Sequence, residues 1–230
     1  MLLYELGFDE GLLNPLRECY LSVIAGRLFP DCGGATLDSH RAFVVSYGLE
    51  ADRDLDLHYD NAEVTVNISL DDEFQEGELY IGRMYTDRQS MPRSSASEFC
   101  ACQHRLGCGL LHRGQQMHGA LPLTAGVRHN LIIWMRSSVT RNHLCPMCQK
   151  QPDLVKVSGT GDGFSVSNVD VCSLVWHDPV ELTTLWDLVI ITGDIINSIN
   201  NGLNLCKKNC RSQRVHVCVM ILLYYSGDVL

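Results

Sequence analysis

The stretch VTVNISL, residues 64 to 70, alternates apolar and polar side chains without a break. In an extended chain successive side chains point to opposite faces, so this pattern predicts a strand. Val64, Val66, Ile68 and Leu70 would form its dry face, and Thr65, Asn67 and Ser69 its polar face. FVVSY at 43 to 47, GELYIGRM at 77 to 84 and NLIIWMR at 130 to 136 are further strand candidates, and helical spacing is absent between 43 and 136. Several short strands in succession predict a mainly β chain, a sandwich or jelly roll.

One helix flanks the strands. Asn14-Pro15 reads as a capping side chain followed by proline at the first helical position. Leu16, Tyr20, Val23 and Ile24 follow at helical spacing and Gly26 closes the run, which predicts a helix from about 15 to 25. Residues 86 to 108 are Ser- and Cys-rich and read as loop. Residues 142 to 174 form a loop-rich extension, and 175 to 230 carry strand-like runs that no pattern ties to the preceding sheet. The reading is a domain over 1–141, the extension 142–174 and an unassigned segment 175–230.

Composition excludes some functions. A net charge of −9 argues against a nucleic-acid binder, which relies on clustered Lys and Arg. The first residues lack the basic start and long apolar core of a secretory leader. The apolar run VHVCVMILLYY, 215 to 225, is about half of the roughly 20 residues a membrane-spanning helix needs, so a buried strand is expected there. Eleven irregularly spaced cysteines do not form a secreted disulfide framework and favour an intracellular, reducing location.

Chemistry enters immediately before the alternating strand. His58 and Asp60 are two residues apart, and on a strand i and i+2 share a side, so both can reach one metal ion. The competing reading is a solvent-facing strand end. A third ligand must come from elsewhere, and His118 is the candidate. Two His and one carboxylate leave about three coordination positions open, as in non-haem Fe(II) oxygenases. A structural zinc site more often closes with four protein ligands. Arg128 follows His118 by ten residues, and a guanidinium matches a carboxylate in two parallel hydrogen bonds. A surface ion pair is the plainer reading of a lone Arg at a strand start. His112 is set aside because only His118 has an Arg ten residues on, and His129 should face away from Arg128. Cys145 and Cys148, with Cys206 and Cys210, offer a rival zinc site across a long intervening segment.

His-x-Asp, a distant His and an Arg ten residues later resemble the Fe(II)- and 2-oxoglutarate-dependent dioxygenases. HYDNAEVTVNISL and HGALPLTAGVR resemble the prolyl 4-hydroxylase and procollagen lysyl hydroxylase branch over roughly residues 10 to 172. The resemblance implies a double-stranded β-helix, the jelly roll, flanked by the N-terminal helix. It implies Fe(II) on His58, Asp60 and His118, and 2-oxoglutarate on Arg128 with further contacts from Tyr47 and Asn67. Asn67 lies an odd number of residues after His58, so a bend between them is expected. The resemblance further implies dioxygen as cosubstrate, L-ascorbate as reductant, and an unidentified substrate for which a lysyl or prolyl side chain is plausible. The alternatives are an inactive jelly-roll binding module and a zinc-binding interaction protein.

Overall fold

The computed structural model describes residues 2–85, 100–103, 105–147 and 149–151, together with the backbone of three later strands. Strands dominate. Ser39–Gly48 (β1), Val64–Ser69 (β3), Cys108–Arg113 (β7) and Leu123–Arg136 (β9) lie in a large sheet, in the order β1-β9-β3-β7. Phe74–Glu76 (β4) pairs with the start of β9. Leu55–His58 (β2), Leu79–Met84 (β5), Cys100–Cys102 (β6) and Gln116–Ala120 (β8) form a smaller sheet in the order β2-β8-β5-β6. All of these pairings are antiparallel. Leu110 of the large sheet packs with Leu79, Ile81, Cys102 and Ala120 of the small one, so the sheets meet face to face as a jelly roll.

The alternation of β3 decides what lies on each side of the large sheet. Val64, Val66 and Ile68 turn away from the small sheet and pack with Leu13, Leu21 and Ile24 of the N-terminal helix and with Phe29 just after it. Each such side chain removed from water contributes about 1.5–3 kcal/mol. The opposite face, Thr65, Asn67 and Ser69, is buried as well. The polar side of the pattern therefore does not meet solvent; it points between the sheets. Leu70 falls outside the strand and is 43 % exposed, so the dry face ends at Ile68.

The helix is longer than its spacing suggests. Helical backbone runs from Asp9 to Leu28, with π turns at Asp9–Leu13 and Arg17–Leu21 around the α segments Asn14–Leu16 (α1) and Ser22–Leu28 (α2). Asn14 is thus interior, not a cap; its side chain accepts from Arg17 at 3.3 Å. The earlier start buries Leu13, and the i, i+4 series Leu13, Arg17, Leu21 and Ala25 faces the sheet.

Three further expectations change. β9 begins at Leu123, so Arg128 sits inside a strand of 14 residues and not at its start. Cys100–Cys102, read as loop, pairs with β5; residues 86–99 lie outside the described residues. The segment 175–230, which no pattern tied to the sheet, supplies Asp187–Ile191 (β10), Cys206–Lys207 (β11) and Val217–Leu222 (β12). β12 pairs antiparallel with β7, extending the large sheet. Its strand lies within the run expected to be one. No helix among the described residues is long and apolar enough to cross a membrane.

Candidate metal centre and anion pocket

A cavity of about 220 Å³ opens between the two sheets. Its wall from the large sheet follows strand parity: Phe43, Val45 and Tyr47 of β1, Thr65 and Asn67 of β3, and Arg128, Asn130, Ile132 and Trp134 of β9. The small sheet adds Leu55, His58, Leu79, His118 and Gly119. His118 sits opposite His58 in the β2–β8 register, which brings two histidines sixty residues apart in sequence to one point.

His58, Asp60 and His118 converge there, each offering one ligand atom within 4.8 Å of the others. Asp60 Oδ1 lies 3.7 Å from His58 Nε2, and Oδ2 lies 3.6 Å from His118 Nε2. The outer nitrogens are tied down: His58 Nδ1 is 2.8 Å from the Asp56 carbonyl and His118 Nδ1 is 2.7 Å from the Gln116 carbonyl. A carbonyl only accepts, so each Nδ1 carries the proton and each Nε2 keeps its lone pair for a metal. Asp60 is not on the strand with His58, as the i, i+2 argument assumed. β2 ends at His58, and Asp60 occupies the turn that follows. That turn carries the chain from the small sheet to the large one, which also resolves the parity of Asn67: it stands on β3, in the facing sheet.

The turn is pinned from behind. Glu63, 5 % exposed, receives Arg141 Nη2 at 3.0 Å and the Ser137 backbone N–H at 2.9 Å. Arg141 also donates to the Asn61 side chain, and Arg136 Nε to the Asn61 carbonyl at 3.3 Å. Asp60 N–H donates to the Gly114 carbonyl at 2.7 Å, and Thr65 donates to Asp60 Oδ2 at 2.7 Å.

Electrostatics favour neutral His58 and His112 beside an ionised Asp60. Burial opposes ionisation of Asp60, yet His118, His112, His58 and the Thr65 hydroxyl together hold its carboxyl below the usual range. Burial, with repulsion from His118, pushes His58 down to about 4. His112, whose ring lies 4.5 Å from that of His118, is pushed down to about 3 by burial and the same repulsion. Neutral nitrogens and a carboxylate are the forms that ligate a divalent cation.

The other end of the cavity holds Arg128, fully buried. Its Nη1 donates to the Gly77 carbonyl, and its guanidinium lies 4.3 Å over the ring of Tyr47, its register partner on β1. Gly77 adopts φ +73°, and a Cβ there would press on Leu123 and Arg128, so glycine is required for this approach. Nε and Nη2 of Arg128 have no hydrogen-bond partner among the described residues. Burial lowers its pKa, with Tyr47 opposing; burial raises that of Tyr47, with Arg128 opposing. A buried cation with open donors fits an anion that binds from the cavity. Asn67 faces the space between and accepts from Asn130.

All six residues singled out from the sequence therefore line this one cavity. Thr65, Asn130 and Trp134 were missed, although Thr65 was marked by its place on the polar side of VTVNISL. His129 does face away from Arg128: its Nδ1 is 2.6 Å from Asp71. Of the rival zinc cysteines, Cys148 and Cys210 lie outside the described residues, and Cys145 is buried.

An antiparallel jelly roll with this His-Asp-His cluster at one end of its cavity is shared by a known class, and sequence comparison names it. The chain is 52 % identical over 168 residues to 2-oxoglutarate and iron-dependent oxygenase domain-containing protein 2 of Danio rerio, covering 73 % of this chain and 47 % of that protein. To the Homo sapiens protein of the same name it is 49 % identical over 177 residues, covering 76 % and 49 %. The chain belongs to the 2-oxoglutarate and iron-dependent oxygenase family. It spans about half the length of the curated relatives it matches. Among solved structures, an oxidoreductase of the 2OG-Fe(II) oxygenase family from Burkholderia pseudomallei aligns with TM-score 0.41 and 18 % identity, covering 55 % of this chain and 57 % of that one. No family model matches the chain.

Proposed function

We propose that this chain is the catalytic domain of an Fe(II)- and 2-oxoglutarate-dependent dioxygenase. It hydroxylates a carbon of its substrate, with one oxygen atom of dioxygen entering the product and the other entering succinate as carbon dioxide leaves. The observation that carries this reading is the convergence of His58, Asp60 and His118 in one cavity with the open, buried guanidinium of Arg128.

In this reading His58 Nε2, a carboxylate oxygen of Asp60 and His118 Nε2 hold iron, and the Nδ1–H bonds to backbone carbonyls fix the two rings for it. Thr65 fixes the Asp60 carboxylate. Arg128 pairs with the far carboxylate of 2-oxoglutarate, assisted by the Tyr47 hydroxyl and the Asn67 amide, and so aims the keto-acid end at the iron. Leu79 and Ile132, buried apolar residues of the lining, keep bulk water away. Iron and 2-oxoglutarate together supply the oxidising chemistry; the protein supplies geometry and a dry, shaped site.

The finer assignments rest on the family resemblance. L-ascorbate is the reductant that keeps iron ferrous, and a lysyl or prolyl side chain is the substrate class. An intracellular location rests on the irregular spacing of the eleven cysteines.

Anaerobic titration with Fe(II) and 2-oxoglutarate tests the reading. The expected result is a visible charge-transfer band of the chelated 2-oxo acid. His118→Ala abolishes it. Arg128→Ala raises the 2-oxoglutarate requirement at least about thirtyfold, the low end of the roughly 2–5 kcal/mol lost when one partner of a buried charge pair is truncated. A folded wild type that gives no band rules out the oxygenase reading and leaves a binding module.

A further inference from the structure

His112 has no part in the reading above. It stands on β7, fully buried, facing Thr65 of β3 in the sheet register. Its ring packs 4.5 Å from that of His118, while His58 lies 4.3 Å from the same ring. His118 is therefore in contact with two other imidazoles. All three are set alike. His112 Nδ1 is 2.8 Å from the Arg113 carbonyl, as the Nδ1 atoms of His58 and His118 are bonded to the carbonyls of Asp56 and Gln116. Each ring therefore keeps its proton on Nδ1 and its lone pair on Nε2.

Two of these lone pairs face Asp60. The third, on His112 Nε2, is buried without a hydrogen-bond partner among the described residues. A buried acceptor without a partner is destabilising, and an aromatic hydrocarbon of similar size would avoid that penalty. An acceptor left open beside three converging metal donors matches a donor that arrives with the ion.

We propose that His112 is a positioning residue of the metal centre, its Nε2 accepting a hydrogen bond from a water molecule that the bound cation carries. This rests on the metal reading above. Removing such an outer partner weakens metal binding about 10- to 100-fold. A residue that merely fills the core would not have that effect.

The test is titration of the metal-free protein with Co(II), without 2-oxoglutarate, reading the visible d–d spectrum and the Kd. Urea unfolding of the metal-free forms is measured in parallel. His112→Phe keeps a planar ring and removes the acceptor; His112→Gln restores an acceptor. The expected result is a Kd raised ten- to hundredfold and an altered spectrum for His112→Phe, with a urea midpoint no lower than wild type. His112→Gln recovers most of the affinity. Should His112→Phe fail to fold, His112→Leu takes its place. Equal Kd and spectrum in wild type and the apolar variant overturn this proposal alone. So does an equal loss in His112→Gln and the apolar variant, which would indicate packing. A wild type that binds no Co(II) overturns the metal reading and this proposal with it.

Discussion

The metal end of the cavity and its guanidinium end are both deeply buried, but they are finished differently. At the metal end the acidic and basic groups are matched. Asp60 faces two imidazoles and the Thr65 hydroxyl, and the turn that carries it is locked by Glu63 and Arg141. At the other end Arg128 has one carbonyl, a tyrosine face and two open donors. The first arrangement is positioned by hydrogen bonds within the fold. The second holds a guanidinium with two donors that no described residue accepts. In the proposed reading, preorganisation is concentrated where metal donors must be placed closely, and affinity for the organic anion where donors stay open.

The largest test of this contrast sets two arginines against each other. Arg141→Met leaves Glu63 buried and unpaired, and breaking such a pair costs about 3–5 kcal/mol. Arg128→Met removes a buried cation with no carboxylate hydrogen-bonded to it among the described residues, so the metal-free protein loses little or no stability in urea unfolding. Equal losses for the two variants would show that the ends are not built differently.

A smaller effect belongs to Thr65→Val. It removes the 2.7 Å hydrogen bond to Asp60 Oδ2, one of a class worth about 1.5–3 kcal/mol when an acceptor is charged. Metal binding by the variant weakens about tenfold in a Co(II) titration, as expected for a bond that orients a ligand. Unchanged binding would show that the turn alone orients the carboxylate.

A further test is pH dependence. His58 and His112 are held down to about 4 and about 3 in the folded protein, against about 6.5 in an unfolded chain. Between those values the unfolded chain binds protons that the folded one does not. Stability of the metal-free protein therefore falls as pH drops from about 6.5 towards 4. Arg128→Met keeps this slope, because the guanidinium end contributes no group titrating there, whereas His112→Phe reduces it. A flat urea midpoint over that interval in wild type would contradict the buried, neutral imidazoles.

Much of the site was legible because its chemistry is short-range in sequence. His58 and Asp60 are two apart, and Arg128 is ten from His118 on the chain that turns from β8 into β9. The strand pattern at 64–70 placed Asn67 on the polar side, and that side proved to line the cavity. What was not legible depends on partners far apart. Arg141 and Glu63 are 78 residues apart and carry no local signal of their pairing. Asn14-Pro15 misled because a cap-like dipeptide can sit inside a helix when tertiary packing, here of Leu13, rewards an earlier start.

By itself the sequence determined the β architecture, the flanking helix and the residue types able to hold a divalent cation and a carboxylate. Periodicity and spacing encode these directly, since they depend on the backbone repeat and on the chemistry of single side chains. Tertiary structure alone decided that the polar face of β3 is buried and that Asp60 lies on a turn between sheets. It also decided that Arg128 keeps open donors and that a third imidazole stands beside the metal donors. These follow from which surfaces exclude water when two sheets close on each other, and that is a property of the packed molecule.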